Sequence, residues 1–214
     1  MATTRLDELP LRERKKQRAQ RDILRAARVL IDRHGYQKTK MRDIASVAEL
    51  SYQTLYNYFP TKASILEAIL STDIADISVK IARRIDAYEG GLLATLSAIN
   101  RIRLQTLGAP EQRELWWFVA TEIWNKRKSG SRMMSLVDQA AAEEMIARLL
   151  HRSQRSRDLI AGVDVRLLAE TLNSLAEQCL SRFLYEPTRD LDSTLASLDA
   201  QMEILLRPYL TRQS

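Results

Sequence analysis

Residues 39–62, TKMRDIASVAELSYQTLYNYFPTK, decide how the surrounding chain folds. Apolar side chains within 41–48 recur at spacings of three, one and three, which predicts one face of a helix that Thr39 would cap. The pattern then breaks for three residues, and Ser51 can cap a second short helix over 52–58. Two short helices joined by a three-residue turn predict a helix-turn-helix, in which the second helix enters the DNA major groove.

This stretch resembles the DNA-binding domain of the TetR/AcrR family of transcriptional regulators. The resemblance rests on an ordered set of residues: Asp43, Ile44, Ala45, Ser51, Thr54, Leu55, Tyr56, Tyr58, Phe59 and Lys62. One departure lies in the turn, where the family usually has glycine and this chain has Glu49. A left-handed backbone at a non-glycine residue costs roughly 1 kcal/mol or more, so we expect a slightly different turn.

The composition predicts an all-α globular protein. The 214 residues are enough to bury a core, and 45% are hydrophobic and 28% charged. Only 6 Gly and 5 Pro are present, which favours long helices over strands joined by turns. No apolar run approaches the roughly 20 residues of a membrane span, and the N-terminus lacks the apolar core of a signal peptide. The single cysteine, Cys179, rules out an internal disulfide, so we expect a cytoplasmic protein.

Positive charge is concentrated in the N-terminal third of the chain. Residues 1–62 contain 14 Lys and Arg against 7 Asp and Glu, whereas residues 63–214 contain 19 against 20. A basic third could be a solvated surface, but beside a helix-turn-helix it is placed where phosphate neutralisation would need it.

The helix signals predict two domains. Residues 1–62 would form the DNA-binding domain, with 1–17 as a flexible arm and a first helix from about 17 to 34, which Gly35 ends. A long helix from Lys62 to about residue 88 would lead into a second domain, 63–214, that binds an effector and dimerises. Further helices are predicted at about 92–107, 111–127, 133–156, 164–185 and 190–209.

Ten residues are candidates for DNA contact: Thr39, Arg42, Ser51, Tyr52, Gln53, Thr54, Tyr56, Asn57, Tyr58 and Lys62. The amides of Gln53 and Asn57 can bind adenine through two hydrogen bonds each, and Arg42 is a phosphate candidate. The family resemblance implies that Tyr56, Tyr58 and Lys62 contact the DNA backbone. Whether Tyr52 meets a base or a phosphate stays open at this point.

The chain offers an aromatic-rich helix as a candidate effector site. All three tryptophans lie within 115–124, a segment that is apolar nearly all round and therefore central. The candidates for a pocket wall are Trp116, Trp117, Trp124 and Met134. These side chains could equally be plain core packing; if they line a pocket, they favour a hydrophobic or aromatic effector.

Two apolar stripes near the C-terminus are candidates for a dimer interface: Leu168, Leu172, Leu175 and Cys179 on one helix, and Leu195, Leu198 and Met202 on the other. Such stripes can pack within one chain or against a second copy. The family resemblance implies the second arrangement, a four-helix bundle across a two-fold axis. A homodimer is also what two half-sites of a palindromic operator require.

Three functions compete. The first is a homodimeric repressor, released from double-stranded DNA by a small-molecule effector; the family resemblance implies repression rather than activation. The second is a DNA-binding protein without an effector. The third, an enzyme with an accessory DNA head, is disfavoured because the two histidines, His34 and His151, lie far apart in sequence and Cys179 lies in a leucine stripe. No phosphate-binding glycine loop or metal-ligand spacing is found, so we expect no enzyme activity, cofactor or metal.

Overall fold

The computed structural model describes residues 10–105, 115–116, 139–186 and 188–211. The described part is helical, as the composition predicted. Eight α-helices, numbered here in chain order, make up most of it: α1 Leu11–Lys38, α2 Met41–Val47, α3 Tyr52–Tyr58, α4 Lys62–Asp86, α5 Leu92–Gln105, α6 Gln139–Arg155, α7 Val165–Tyr185 and α8 Leu191–Leu206, followed by a 3-10 turn at Arg207–Tyr209. The predicted helix at 111–127 lies almost wholly outside the described residues.

The chain divides into two compact units, Met1–Thr72 and Asp73–Ser214. The sequence analysis placed the boundary ten residues earlier, after Lys62. The difference arises because α4 does not begin a new unit at its first residue. Ile65, Leu66 and Ile69, in its first two turns, are buried within the first unit.

Helix α1 starts earlier than predicted. It begins at Leu11, so the prediction of a flexible arm up to residue 17 is wrong from Leu11 onward. The predicted break at Gly35 is confirmed, since this glycine has φ 77° and ψ 158° inside an otherwise helical run. Only glycine adopts such a conformation without steric cost. Ile23 and Ala27, on one side of α1, are fully buried.

The two helices of the predicted helix-turn-helix are present. α3 covers the predicted residues, and the Ser51 hydroxyl accepts a hydrogen bond from the Thr54 backbone amide at 3.0 Å, which confirms the predicted cap. The turn before it contains Glu49 with φ 55°, the left-handed conformation that glycine usually supplies. The prediction that Thr39 caps α2 is wrong: the N-cap residue is Lys40, and it makes no side-chain cap bond.

The second unit buries one large apolar core among α4–α8. Asp164 and Asp190 cap α7 and α8 by accepting backbone hydrogen bonds, which fixes where these two helices begin. The core includes the inner faces of α5, α6, α7 and α8. An isolated antiparallel bridge joins Leu159 to Leu210 and ties the residues after α8 to the α6–α7 connection.

Six of the seven residues predicted to form a dimer interface are buried in this core or beside it. Leu168, Leu172, Cys179, Leu195, Leu198 and Met202 are buried within the single chain, and Leu175 is half-buried against the same core. These side chains are already in contact with their own chain. The two stripes therefore pack within one chain, and their predicted part in a dimer interface stays a prediction.

None of the helices in the described ranges is long and apolar enough to cross a membrane.

Candidate functional site

The outer face of α3 carries the polar side chains that the sequence assigned to base contact. Gln53 and Asn57 are exposed, as are Tyr52 and Tyr56. Leu55 and Phe59, on the opposite side, are buried and hold α3 against the rest of the unit. The helical spacing thus separates a packing face from a contact face on a helix of 7 residues.

The two amides on this face bind each other. Gln53 Nε2 donates a hydrogen bond to Asn57 Oδ1 at 3.2 Å, one helical turn further along. This bond aligns both side chains along the same edge of α3. It also leaves the Asn57 amide nitrogen and the Gln53 carbonyl oxygen pointing to solvent, one donor and one acceptor, the pair of groups that an adenine edge would bind.

An aromatic and cationic group flanks the amides. The Tyr52 and Tyr56 rings are tilted at 40° with centroids 5.9 Å apart, and the Arg42 guanidinium lies 5.9 Å from the Tyr52 centroid. The Arg42 side chain, which extends from α2, is therefore held near the start of α3 by the Tyr52 ring. The predicted phosphate candidates Arg42, Tyr52 and Tyr56 lie together.

Ser51 and Thr54 stabilise the helix start. Their hydroxyl oxygens are 2.7 Å apart, and Ser51 also accepts the Thr54 backbone hydrogen bond described above. Thr54 is half-buried and Tyr58 is half-buried, so each presents only part of its side chain at the surface. Their predicted DNA contacts stay predictions; their capping and packing roles are visible.

The Lys62 ammonium is bound by backbone carbonyls of its own unit. Its ammonium donates to the backbone carbonyls of Tyr36 at 2.7 Å, Thr39 at 3.0 Å and Gln37 at 3.2 Å, and it lies 4.3 Å from the Tyr36 ring centroid. An ammonium has three donors, and all three are used here. Burial lowers the pKa of Lys62, as expected for a partly desolvated ammonium. In this structure Lys62 is therefore a clamp on the end of α1, and its predicted phosphate contact stays a prediction.

Thr39 is also held within its own unit, and its predicted DNA contact stays a prediction. It is 3% exposed, and its hydroxyl donates to the Gly35 carbonyl oxygen at 2.9 Å. Sequence reasoning missed the role of Tyr36, the buried residue whose ring and carbonyl oxygen hold Lys62. It also missed two exposed cations beside the helix-turn-helix, Lys38 and Lys40. Their position within the basic N-terminal third was the only signal for them.

Of the predicted pocket residues, only Trp116 is among those described. It is half-buried against Leu104, Phe183 and Leu195. Its indole N–H is buried and has no hydrogen-bond partner within the described ranges. Trp117, Trp124 and Met134 lie outside the described residues.

The second unit exposes other apolar side chains on the two helices predicted to dimerise. Leu167 on α7 is 61% exposed and Ile204 on α8 is 73% exposed. Both lie away from the buried stripes of the same helices. Sequence reasoning missed them because neither belongs to the apolar stripe predicted for its helix.

The candidates for catalysis do not come together. His34 and His151 lie in different units and are exposed, and Cys179 is a buried free thiol. In the part of the chain that the structure describes, no group of three or more His, Cys, Asp or Glu side chains could hold a metal ion.

The fold and this site define an all-α protein with an N-terminal helix-turn-helix. Residues 23–69 match the family model described as bacterial regulatory proteins of the tetR family. Two repressors named KstR are similar to part of the chain. The one from Mycobacterium tuberculosis is 32% identical over 83 residues, 39% of this chain and 36% of that protein. The one from Mycolicibacterium smegmatis is 35% identical over 80 residues, 37% of this chain and 36% of that protein. The chain thus spans little more than a third of the length of these curated relatives.

Solved structures resemble the chain over most of its length. A TetR-family transcriptional regulator from Pectobacterium atrosepticum has a TM-score of 0.72 at 22% identity, covering 94% of this chain and 98% of its own. Thermus thermophilus FadR, a TetR-family repressor solved with lauroyl-CoA, has a TM-score of 0.66 at 23% identity, covering 91% and 97%. The family model thus matches residues 23–69, and the likeness to these solved structures shows a shared fold over most of the chain. The proteins named here are regulators, in agreement with the prediction that the chain is not an enzyme.

Proposed function

We propose that the chain is a homodimeric transcriptional repressor that binds a palindromic operator and leaves it when a small apolar molecule binds the second unit. The observation that carries this proposal is the outer face of α3, where two amides and a cation–ring group project from a helix whose other side is buried. Such a helix is free to enter a major groove while the unit behind it stays folded.

Sequence reading would come from Gln53 and Asn57. Each amide can form two hydrogen bonds with an adenine edge, and a good pair contributes about 1–3 kcal/mol of discrimination against a wrong base. Arg42, Lys38 and Lys40 are exposed cations around the same helices and would contact phosphates. Phosphate contacts fix the register and make affinity salt-dependent, but they do not select a sequence.

Dimerisation would use the exposed faces of α7 and α8. The buried stripes of these helices face their own core, so the proposed interface is centred on Leu167 and Ile204 instead. The two exposed side chains lie on neighbouring helices, so each could meet a copy of the same surface in an isologous two-fold contact. Two heads related by that axis would meet half-sites one helical turn, about 34–36 Å, apart.

Release would follow from differential binding. An effector that binds the form with wrongly spaced heads more tightly than the DNA-competent form shifts the population away from DNA. α4 belongs to both units, because it runs from Lys62 to Asp86 and the unit boundary falls after Thr72. A shift of α4 is therefore a direct route for the change. The repressor names of the KstR relatives and the acyl ligand of FadR support a ligand-released repressor of this kind.

The test is fluorescence anisotropy with DNA flanking the gene of this protein, across a salt series. We expect tight, steeply salt-dependent binding to one short palindrome. Gln53→Ala and Asn57→Ala should each weaken it about tenfold or more, and Gln105→Ala, an exposed glutamine of the second unit, should leave it unchanged. Weak binding that ignores sequence and these substitutions would refute DNA reading by α3. Tight binding that no small molecule releases would refute the effector.

A further inference from the structure

We infer that Arg103, inside the second unit, is the anchor for the carboxylate of an amphipathic ligand, an aliphatic carboxylic acid. This inference deepens the proposed function, because it names the chemical class of the effector. It rests on a charged cluster that lies between α5 and α7 with small cavities on both sides of it.

The cluster is built from polar residues in an otherwise apolar interior. The Arg103 side chain is only 17% exposed, and Nη2 donates to Asn173 Oδ1 at 3.2 Å and to Glu177 Oε1 at 3.3 Å. Asn173 and Asn100 are both buried. Burial lowers the pKa of Arg103, while the charge of Glu177 acts in the opposite direction. A guanidinium keeps its proton in proteins even so.

This arrangement uses the guanidinium incompletely. Both hydrogen bonds leave from Nη2, so within the described residues Nη1 and Nε keep donors for another acceptor. The Glu177 contact is long and involves one oxygen, whereas a guanidinium binds a carboxylate best through two parallel, shorter hydrogen bonds. A ligand carboxylate could take that two-point geometry and leave Asn173 as a third partner. Glu177, at 28% exposure, can turn toward water when it is displaced.

The surroundings of Arg103 suit an aliphatic chain. On one side it lines a cavity of about 20 Å³ with Ile81, Ile85, Ile99, Met145 and other apolar residues. On the other it lines a cavity of about 10 Å³ with Leu104, Leu180 and Leu198. Each volume holds about one water molecule, so the site is closed in this structure. Ligand entry must separate α5 from α6 or α7, which is the kind of movement that an effector has to cause.

Trp116 supplies an independent observation that points to the same chemistry. Its buried indole N–H has no partner within the described ranges, and a buried unpaired donor costs free energy until an acceptor arrives. Trp116 packs against the cluster that contains Leu104, as does Leu180, and both leucines also line the smaller cavity. The Trp116 N–H and the Arg103 guanidinium are donors, and Glu177 is the acceptor beside them that a ligand carboxylate would displace. With Glu177 turned away, these donors fit an oxygen-rich, anionic head group better than an amine.

The cavity beyond Arg103 connects the anchor to α4. Ile81 and Ile85 belong to α4 and line the larger cavity opposite Met145 of α6. A hydrocarbon chain that extends from Arg103 into this cavity would have to push these two helices apart. The same ligand would thus be held by its head group and act on α4 through its chain.

The experiment is isothermal titration calorimetry of the full chain with decanoate, decanol and decylamine, which share one hydrocarbon chain. We expect decanoate to bind at least about tenfold more tightly than decanol, and decylamine to bind most weakly. Arg103→Met should abolish the preference for decanoate while keeping decanol binding. Arg101→Met, at an exposed arginine on the same helix, should behave as wild type. Equal decanoate affinity in wild type and Arg103→Met, or no binding of decanoate to wild type, would overturn the inference.

A second variant guards against misfolding. If Arg103→Met loses helical circular dichroism, Arg103→Lys is used, which keeps the charge but lacks the two-point fork. We expect Arg103→Lys to keep part of the decanoate preference, and wild-type affinity there would count against the inference. DNA anisotropy separates this inference from the proposed function. Arg103-dependent binding of decanoate without release of DNA leaves the anchor standing and removes the effector role. A ligand that releases DNA equally well from wild type and from Arg103→Met would support the effector role and would remove the anchor.

Discussion

The two units of this protein differ in where their functional polar groups lie: on the surface in the first unit and in the interior in the second. In the first unit the polar groups that matter are outside, on α3, and neighbours in sequence supply them: Gln53, Asn57 and the Arg42–Tyr52 group. In the second unit they are inside, and Arg103 meets Glu177 across 74 residues of chain. A contact surface can be formed by the residues of one short helix, whereas a buried anchor forms only after helices that are distant in sequence have packed together.

The largest expected effect tests whether the stripes of α7 and α8 belong to the core. Leu172→Ala removes a fully buried side chain and should lower the free energy of unfolding by about 2–5 kcal/mol, through lost burial and the cavity it leaves. Urea unfolding followed by circular dichroism measures it. Val79→Ala, at an exposed residue of α4, should stay within about 0.5 kcal/mol. If Leu172→Ala kept its free energy of unfolding but sedimented with half the mass of wild type, Leu172 would belong to the dimer interface.

The next effect separates a clamp from a phosphate contact in the first unit. Lys62→Met leaves three backbone carbonyls without their donor and should cost about 1–3 kcal/mol of stability. The salt dependence of DNA binding should keep its slope, since no phosphate contact is lost. Lys40→Met, at an exposed lysine, should spare stability. If instead Lys62→Met folds normally and lowers the slope by about 1, the contact predicted from the family resemblance is correct.

A smaller effect tests the helix start that orients the reading face. Ser51→Ala removes the acceptor of the Thr54 amide and should cost about 1 kcal/mol. Hydrogen exchange at the Thr54 amide should accelerate accordingly, because that amide loses its bond. Ser46→Ala, at an exposed serine of α2, serves as the control. Equal acceleration in both variants would mean that Ser51 is not the cap.

The smallest effect concerns backbone strain in the turn. Glu49→Gly should raise stability by about 0.5–1 kcal/mol, the relief of a left-handed residue less the extra entropy that glycine loses on folding. Glu49→Ala keeps the strained conformation and should give no such gain. Thermal unfolding of the two variants side by side measures the difference. Identical melting temperatures would show that the turn stores no strain at this residue.

The first unit could be predicted in detail because its signals are local. The Ser51 cap and the inward spacing of Leu55 and Phe59 predicted α3 to the residue, and Gly35 predicted the break in α1. The structural bonds of Lys62 and Thr39 could not be predicted, because their partners are backbone carbonyls. A carbonyl has no signature in the sequence, so a lysine that binds three of them looks like any exposed lysine.

The second unit could be predicted only as a set of helices. The apolar stripes of Leu168–Cys179 and Leu195–Met202 were visible, but a stripe has the same spacing whether it meets its own chain or another one. The opposite faces, with Leu167 and Ile204, carry too few apolar residues to stand out. The Arg103 cluster was invisible for a further reason. Its members are ordinary polar residues until the fold places them together.

The hydrogen bond between Gln53 and Asn57 has a consequence for how α3 would recognise DNA. Free amides would exchange water for bases, but these two must also give up the bond between them, and that loss offsets part of the free energy gained from base contact. A correct base restores what was given up, whereas a wrong base leaves both amides worse off than in the free protein. The pair thus contributes to selectivity more than to affinity, and most binding strength would come from phosphates. Such a repressor would move quickly along non-cognate DNA without forming base contacts. Gln53 and Asn57 would stay hydrogen-bonded to each other until a matching base edge replaced that bond.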